Sequence, residues 1–322
     1  MMLSVEELSV NFVTGGGVLQ AVRDVSFAVE PGEVLGIVGE SGSGKSVTAQ
    51  SILRILPANG AIGGGDIRLD GESILALEGE QLRRFRGREV AMIFQEPGRS
   101  FDPIYSIGRS LAETLRAHNP ELEDAEIHRR SIQLLEEVHV TNPERRLDNF
   151  PHQFSGGLLQ RIMIAHALAS DPRLLIADEP TTALDVTIQA EIVQLLLELR
   201  RSRNLAILFI THNLALISGF ADRIVVMYGG LVMEQGRTTE VLQRPRHPYT
   251  AGLLRSLVPF GAHHRDVALT ILSGSPPDPT RPEPGCPFAP RCELVQDACR
   301  LEVPALREEN GVELRCIVEG PK

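Results

Sequence analysis

The sequence predicts an α/β protein built around a parallel sheet, and three observations predict it. Short continuous apolar runs at 34–38, 90–94, 174–177 and 205–210 have the length of strands covered on both faces. Between the last two, Ile188, Ile192, Leu195 and Leu199 recur at helical spacing, and strands alternating with helices build parallel sheets. The first run leads into Gly39-Glu40-Ser41-Gly42-Ser43-Gly44-Lys45-Ser46, the G-x-x-x-x-G-K-S pattern of a phosphate-binding P-loop between a strand and a helix.

The remaining elements follow in order. Residues 3–29 alternate apolar and polar around Gly15-Gly16-Gly17, which reads as an antiparallel N-terminal hairpin or small sheet. A helix is expected over 47–56, stopped at Pro57. Residues 60–65 read as a glycine-rich link into a strand at 66–70. From Pro97 to about Pro151, Leu111, Leu115, Ile127, Ile132, Leu134, Leu135 and Val138 lie on mostly polar segments of helical period, which reads as a helical insertion. After about Tyr249 comes a loop-like tail rich in proline. The domains so expected are a core at 1–95 and 166–250, a helical subdomain at 96–165, and a C-terminal extension at 251–322.

Composition narrows the partners. A formal net charge of −10 argues against nucleic acid. The cluster Arg83, Arg84, Arg86 and Arg88 reads as a solvated helix face. No apolar run reaches the ~18–20 residues that span a bilayer. Glu6 and Glu7 stand where a secretory signal would carry Lys or Arg, so a cytoplasmic protein is expected, one that meets a membrane through a partner. The only cysteines, Cys286, Cys292, Cys299 and Cys316, all fall in the tail. In a reducing compartment such a cluster suggests metal ligation more than disulfides. Its spacing leaves zinc, an iron–sulfur cluster and free thiols all open.

Phosphoryl transfer needs a phosphate cradle, a metal ligand and a group that orients water. The amides of Gly39, Ser41, Gly42, Ser43 and Gly44 supply the cradle, Lys45 sits on the β- and γ-phosphates, and the Ser46 hydroxyl reaches Mg²⁺. The apolar run at 174–177 ends in Asp178, a Mg²⁺ ligand, and Glu179, a general base. Taken alone, these are also ordinary acids at a strand end. Ser155-Gly156-Gly157 opens a helix and presents free N–H groups to an anion, or is merely a serine cap. His212 and Gln95 each follow a strand, where ligand crevices of such sheets lie.

With these parts in order, the chain resembles an ABC-transporter ATPase subunit. The match comprises the Walker A loop at 39–46, the Q-loop Gln95, the signature Ser155-Gly156-Gly157, Walker B ending at Asp178 with Glu179, the D-loop Ala183-Leu184-Asp185 and the switch His212. Phe12 falls where the family places a ring on adenine. Phe94-Gln95-Glu96-Pro97, the DEPTTALDVT run at 178–187, His247-Pro248-Tyr249-Thr250 and Gly285-Cys286-Pro287-Phe288-Ala289-Pro290-Arg291-Cys292 resemble the dipeptide/oligopeptide/nickel importer branch. Leu158-Leu159 and the stretch around Phe101 depart from it, which bears on packing and on coupling to a permease.

The resemblance implies ATP and Mg²⁺ as cofactors, Glu179, His212 and Gln95 as catalytic residues, and Ser46, Gln95 and Asp178 at Mg²⁺. It implies a [4Fe-4S] cluster on the four cysteines. It also implies a second, related ATPase subunit in a heterodimer, with Ser155, Gly156 and Gly157 serving the partner's ATP. Two transmembrane permeases, an extracytoplasmic solute-binding protein and a peripheral place on the inner membrane's cytoplasmic face complete the implied system. A soluble ABC ATPase of DNA repair or translation, or a metal-binding regulatory switch, is the rival. The single P-loop, the absence of heptads and the acidic charge disfavour the first, and Glu179 with His212 disfavours the second.

Overall fold

A computed structural model of the chain describes residues 1–182, 184–256 and 272–318. Its chain forms two compact units. The first comprises Met1–Glu30, Val34–Leu75 and Ile210–Lys322, and the second Pro31–Glu33 and Ala76–Phe209.

The first unit opens with β1 (Leu3–Thr14) and β2 (Gly17–Val29), the expected hairpin. The apolar run VLGIV becomes β3 (Val34–Val38), buried at every residue. The P-loop follows, then α1 (Lys45–Ile52). This helix stops short of the expected position 56. Arg54 turns into the left-handed region at φ +53, and the amide of Ile55 bonds back to the carbonyl of Gln50. The supposed link at 60–65 is also a strand, β4 (Gly60–Leu69), followed by the short β5 (Glu72–Ser73). Pairing overrides the low strand propensity of glycine here, because β4 runs antiparallel to β1 with Phe12 opposite Gly60 and Val10 opposite Ile62. These strands make a sheet of order β2-β1-β4-β5.

The second unit carries α2 (Gly79–Arg84), β6 (Val90–Ile93) and the helical insertion. The insertion comprises α3 (Pro97–Ser100), α4 (Ile107–His118), α5 (Asp124–Glu137), α6 (Pro143–Arg146) and α7 (Gly156–Leu168). Ile107, Leu111 and Leu115 of α4 and Ile127, Leu134 and Leu135 of α5 are buried, as their period requires. Then come β7 (Leu174–Asp178), α8 (Val186–Arg203) and β8 (Ala206–Thr211). Strands β6 and β7 pair in parallel, with Val90 opposite Leu174. Each is buried along its length, as expected for strands covered on both faces.

The first unit resumes with α9 (Leu214–Ile217), β9 (Arg223–Tyr228), β10 (Leu231–Arg237), α10 (Thr238–Gln243) and α11 (Pro248–Arg255). Strand β9 lies parallel to β3 and antiparallel to β10. The tail ends in a hairpin, β11 (Arg307–Glu309) and β12 (Val312–Leu314), and β12 pairs with β10 through Glu234 opposite Leu314. The extension is thus sewn into the sheet of the first unit rather than hung from it.

Candidate active site

The P-loop starts where β3 ends. Gly44 is the N-cap of α1 at φ +101, and a Cβ there would meet the Ala21 carbonyl oxygen at 2.6 Å, so the position admits glycine alone. Lys45 is 4% exposed. Its Nζ donates to the carbonyls of Gly39 at 2.8 Å and Glu40 at 2.9 Å, and to Ser43 Oγ at 3.4 Å. The ammonium therefore lies across the mouth of its own loop, where a phosphate would meet it. Ser46, on the first turn of α1, is half-buried. The Phe12 ring lies over Gly60, half-buried on β1. His212 follows the last residue of β8 and is exposed, just before Asn213, whose side chain caps α9.

In the second unit Asp178 ends β7 and is 5% exposed. Glu179 comes next at φ +47, a left-handed conformation that costs a non-glycine residue of order 1 kcal/mol and gathers at functional sites. Gln95, two residues past the end of β6, donates its Nε2 to Glu179 Oε2 at 3.1 Å. Thr182 Oγ1 donates to the same oxygen at 2.9 Å. The structure thus brings Gln95 and Glu179 together, as their places after neighbouring parallel strands imply, and adds Thr182, which sequence reasoning did not single out. The signal was present in the spacing: a hydroxyl three residues past a strand-end carboxylate can close a turn on it.

Ser155 caps α7, its Oγ accepting the amide of Leu158 at 3.4 Å, and Ser155 and Gly156 are exposed. The glycine at 157 gives room to Ile188, whose Cγ2 lies 2.8 Å from where a Cβ would stand. In the Ala183-Leu184-Asp185 segment Ala183 lies outside the described residues, while Asp185 caps α8 by accepting the amide of Ile188 at 3.0 Å.

Oxygen donors suit a hard cation, and the Ser46 hydroxyl in the first unit and the Asp178 carboxylate in the second are each of that type. The tail cysteines are chemically different. Cys286, Cys299 and Cys316 are buried, and Cys292 is half-buried. Burial pushes the Cys286 thiol up to about 11, and the neighbouring Cys316 and Cys299 push the same way. Against this, backbone hydrogen bonding holds the Cys286, Cys292 and Cys316 thiols down, as where the Val318 amide donates to Cys316 Sγ at 3.4 Å. Such amides stabilise thiolates once a metal takes the protons. Among the described residues no three His, Cys, Asp or Glu side chains stand close enough to hold a single ion as they are. Also among them, no helix is long and apolar enough to cross a membrane.

Comparison with known proteins gives the arrangement its family. The ABC transporter family matches residues 22–182, and the Oligopeptide/dipeptide transporter, C-terminal region, matches residues 233–299. A peptide import ATP-binding protein of Brucella abortus (strain 2308) is 47% identical over 98% of this chain and 94% of its own length. The oligopeptide transport ATP-binding protein OppD of Bacillus subtilis (strain 168) is 45% identical over 90% of this chain and 81% of its own. Among solved structures, a dimeric ATP-binding cassette in a post-hydrolysis state with ADP and Pi superposes with a TM-score of 0.66 at 25% identity, covering 74% of this chain and 99% of that one. CbiO1 from Clostridium perfringens, part of the ABC transporter complex cbiONQ, gives 0.65 at 29% identity, over 76% of this chain and 91% of its own. With a P-loop, a Walker carboxylate pair and relatives matched along nearly their whole length, the chain belongs to the ABC transporter family, as an ATP-hydrolysing subunit.

Proposed function

We propose that this subunit drives uptake of oligopeptides or similar small solutes, working at the cytoplasmic face of the inner membrane with two permeases and a solute-binding protein. The names of its relatives support the cargo class and a place in an import system. The C-terminal match supports the same cargo class. Lys45 and the amides of the P-loop hold the triphosphate, with Phe12 on adenine. Ser46, Asp178 and Gln95 hold Mg²⁺. Glu179 polarises the attacking water, and His212 binds the γ-phosphate. Ser155, Gly156 and Gly157 close over the ATP of a second, related ATPase subunit, forming a heterodimer.

The observation that carries the catalytic assignment is Glu179 itself, strained at φ +47 and held by Gln95 and Thr182 on one oxygen. Glu179→Gln keeps the shape and removes the base. MgATP binding should persist while turnover, measured in the complex with the partner's own site disabled, falls by about a thousandfold. MgATP should also hold the variant in a stable pair with its related subunit. Turnover undiminished in that setting would remove Glu179 from the role.

We further assign the four tail cysteines to a [4Fe-4S] cluster. Soft thiolates suit iron–sulfur chemistry. The Val318 amide on the Cys316 sulfur at 3.4 Å supports a site for negative charge. When bound, the cluster supplies a crosslink among four points of the tail.

A further inference from the structure

Two tail-side motifs, His247-Pro248-Tyr249-Thr250 and the run from Gly285 to Cys292, have no part in phosphate chemistry. Both converge on one residue of the P-loop, Glu40. The Arg291 guanidinium grips the Glu40 carboxylate with two bonds, Nη1 to Oε2 at 2.7 Å and Nη2 to Oε1 at 3.0 Å. The Arg291 side chain is only 5% exposed, and Glu40 25%. Nη1 also donates to Tyr228 Oη at 3.0 Å, and Nε donates to the Ser273 carbonyl at 2.8 Å. The Tyr249 hydroxyl accepts the amide of Glu40 at 2.9 Å. Lys45 takes the Glu40 carbonyl. Side chain, amide and carbonyl of one loop residue are therefore all fixed, two of the three from outside the loop.

The platform beneath is rigid. Tyr228, Tyr249 and Phe288 form a buried aromatic trio with ring centroids 4.6 to 5.4 Å apart. Pro287 and Pro277 lie 2.9 and 3.2 Å from where a Cβ on Gly229 would stand, so the tail packs on the β9–β10 turn at backbone distance. The same prolines help wall a cavity of about 230 Å³ beside Ser41, Gly42 and Ser43.

We propose that Arg291 is a positioning residue of the ATP site. Its fork on Glu40 holds the glycine- and serine-rich loop in its phosphate-receiving shape before the nucleotide arrives. A loop of this composition otherwise loses about 1–2 kcal/mol of backbone entropy per residue on being ordered by its ligand. Ordering it in advance transfers that cost to folding and raises affinity. The planar fork matters, since lysine offers a point charge in place of two parallel bonds. The C-terminal extension, in this reading, sets how tightly the subunit holds MgATP.

The test is equilibrium binding of MgATP to the full chain, with a melting curve for every variant. Arg291→Ala should weaken MgATP about tenfold. Arg291→Lys should recover part of the loss, and Glu40→Gln should match Arg291→Ala within about twofold. The pair E40Q/R291A should be no worse than either alone, because one contact is lost once. In the assembled transporter, KM for ATP should rise while kcat changes by less than about twofold. A purely structural role predicts lowered melting temperatures with unchanged affinity at a temperature where all variants are folded, and that result overturns the proposal. So does a double variant whose loss is the product of the singles. Should R291A not fold, R291K and E40Q decide the matter in the same way.

Discussion

At Glu179 the chain adopts a left-handed conformation that costs a non-glycine residue of order 1 kcal/mol. The buried strand β7 would run on smoothly, yet the residue after Asp178 turns to φ +47 and its carboxylate is met by two donors on one oxygen. Both donors meet Oε2, so together they fix how the carboxylate is turned. Thr182→Val tests this at the scale of a single bond. Losing a hydroxyl donor to a carboxylate removes about 1.5 kcal/mol of orientation, or about tenfold in kcat, with MgATP affinity unchanged. Steady-state turnover of the complex beside nucleotide binding checks both halves, and an equal loss in affinity would show that Thr182 shapes the loop rather than the base. The order of the site was legible in the sequence, because Lys45, Gln95, Asp178, Glu179 and His212 each follow a recognisable apolar run. The Arg291–Glu40 fork was not, because a side-chain bond across 251 positions leaves no local pattern.

Elements follow the same division. Runs buried on every residue, such as VLGIV in β3, could only be strands or core, and the period of α4 and α5 marked their inner faces. Residues 60–65 misled, since six positions with four glycines carry no apolar rhythm and β4 exists through its pairing with β1. The start of α11 shows a further device that sequence alone does not disclose. Glu234, fully buried on β10, accepts the amides of Arg246 at 2.8 Å and His247 at 3.1 Å, while His247 Nδ1 accepts the amide of Tyr249 at 3.0 Å. Burial lowers the His247 pKa from 6.5 to about 3, so the ring is neutral in the fold. Between those values the unfolded chain binds a proton that the folded chain refuses. Stability therefore falls as pH drops from about 6.5 toward 3, by at most about 1.4 kcal/mol per pH unit. Buried His166 works in the same direction, whereas Glu234, raised by burial, gains stability as pH falls toward 4.5. His247→Asn separates these, because asparagine also caps and does not titrate there. Urea midpoints at pH 7 and pH 5 should shift less in the variant than in the native chain, and parallel shifts would exclude His247 as the source.

For the molecule as a whole, the consequential question is what the acidic, P-loop-bearing chain gains from its C-terminal extension. The sequence marked that extension by its four cysteines and its prolines, but its attachment emerged only in three dimensions. One end enters the sheet through Glu234 opposite Leu314, two residues before Cys316, and the other seats Phe288 and Arg291 against the P-loop flank. The amide of Cys286 bonds the carbonyl of Cys299 at 2.8 Å, drawing two of the remaining cysteines together. A cluster held by all four would thus tie a strand end to the segment that grips Glu40, with almost no regular structure between them to do so otherwise. Small, loop-rich segments commonly need such a staple. The full chain purified without oxygen should therefore carry iron and acid-labile sulfide in equal amounts, about four of each, with the broad visible absorbance of iron–thiolate charge transfer. Cys316→Ser should lose most of that absorbance and lower the melting temperature by several degrees, about 2 kcal/mol for a lost metal crosslink. Stoichiometric zinc without visible absorbance would replace iron by a single-ion site, and a metal-free chain melting at the same temperature as C316S would show that packing and the β12 strand hold the tail without help.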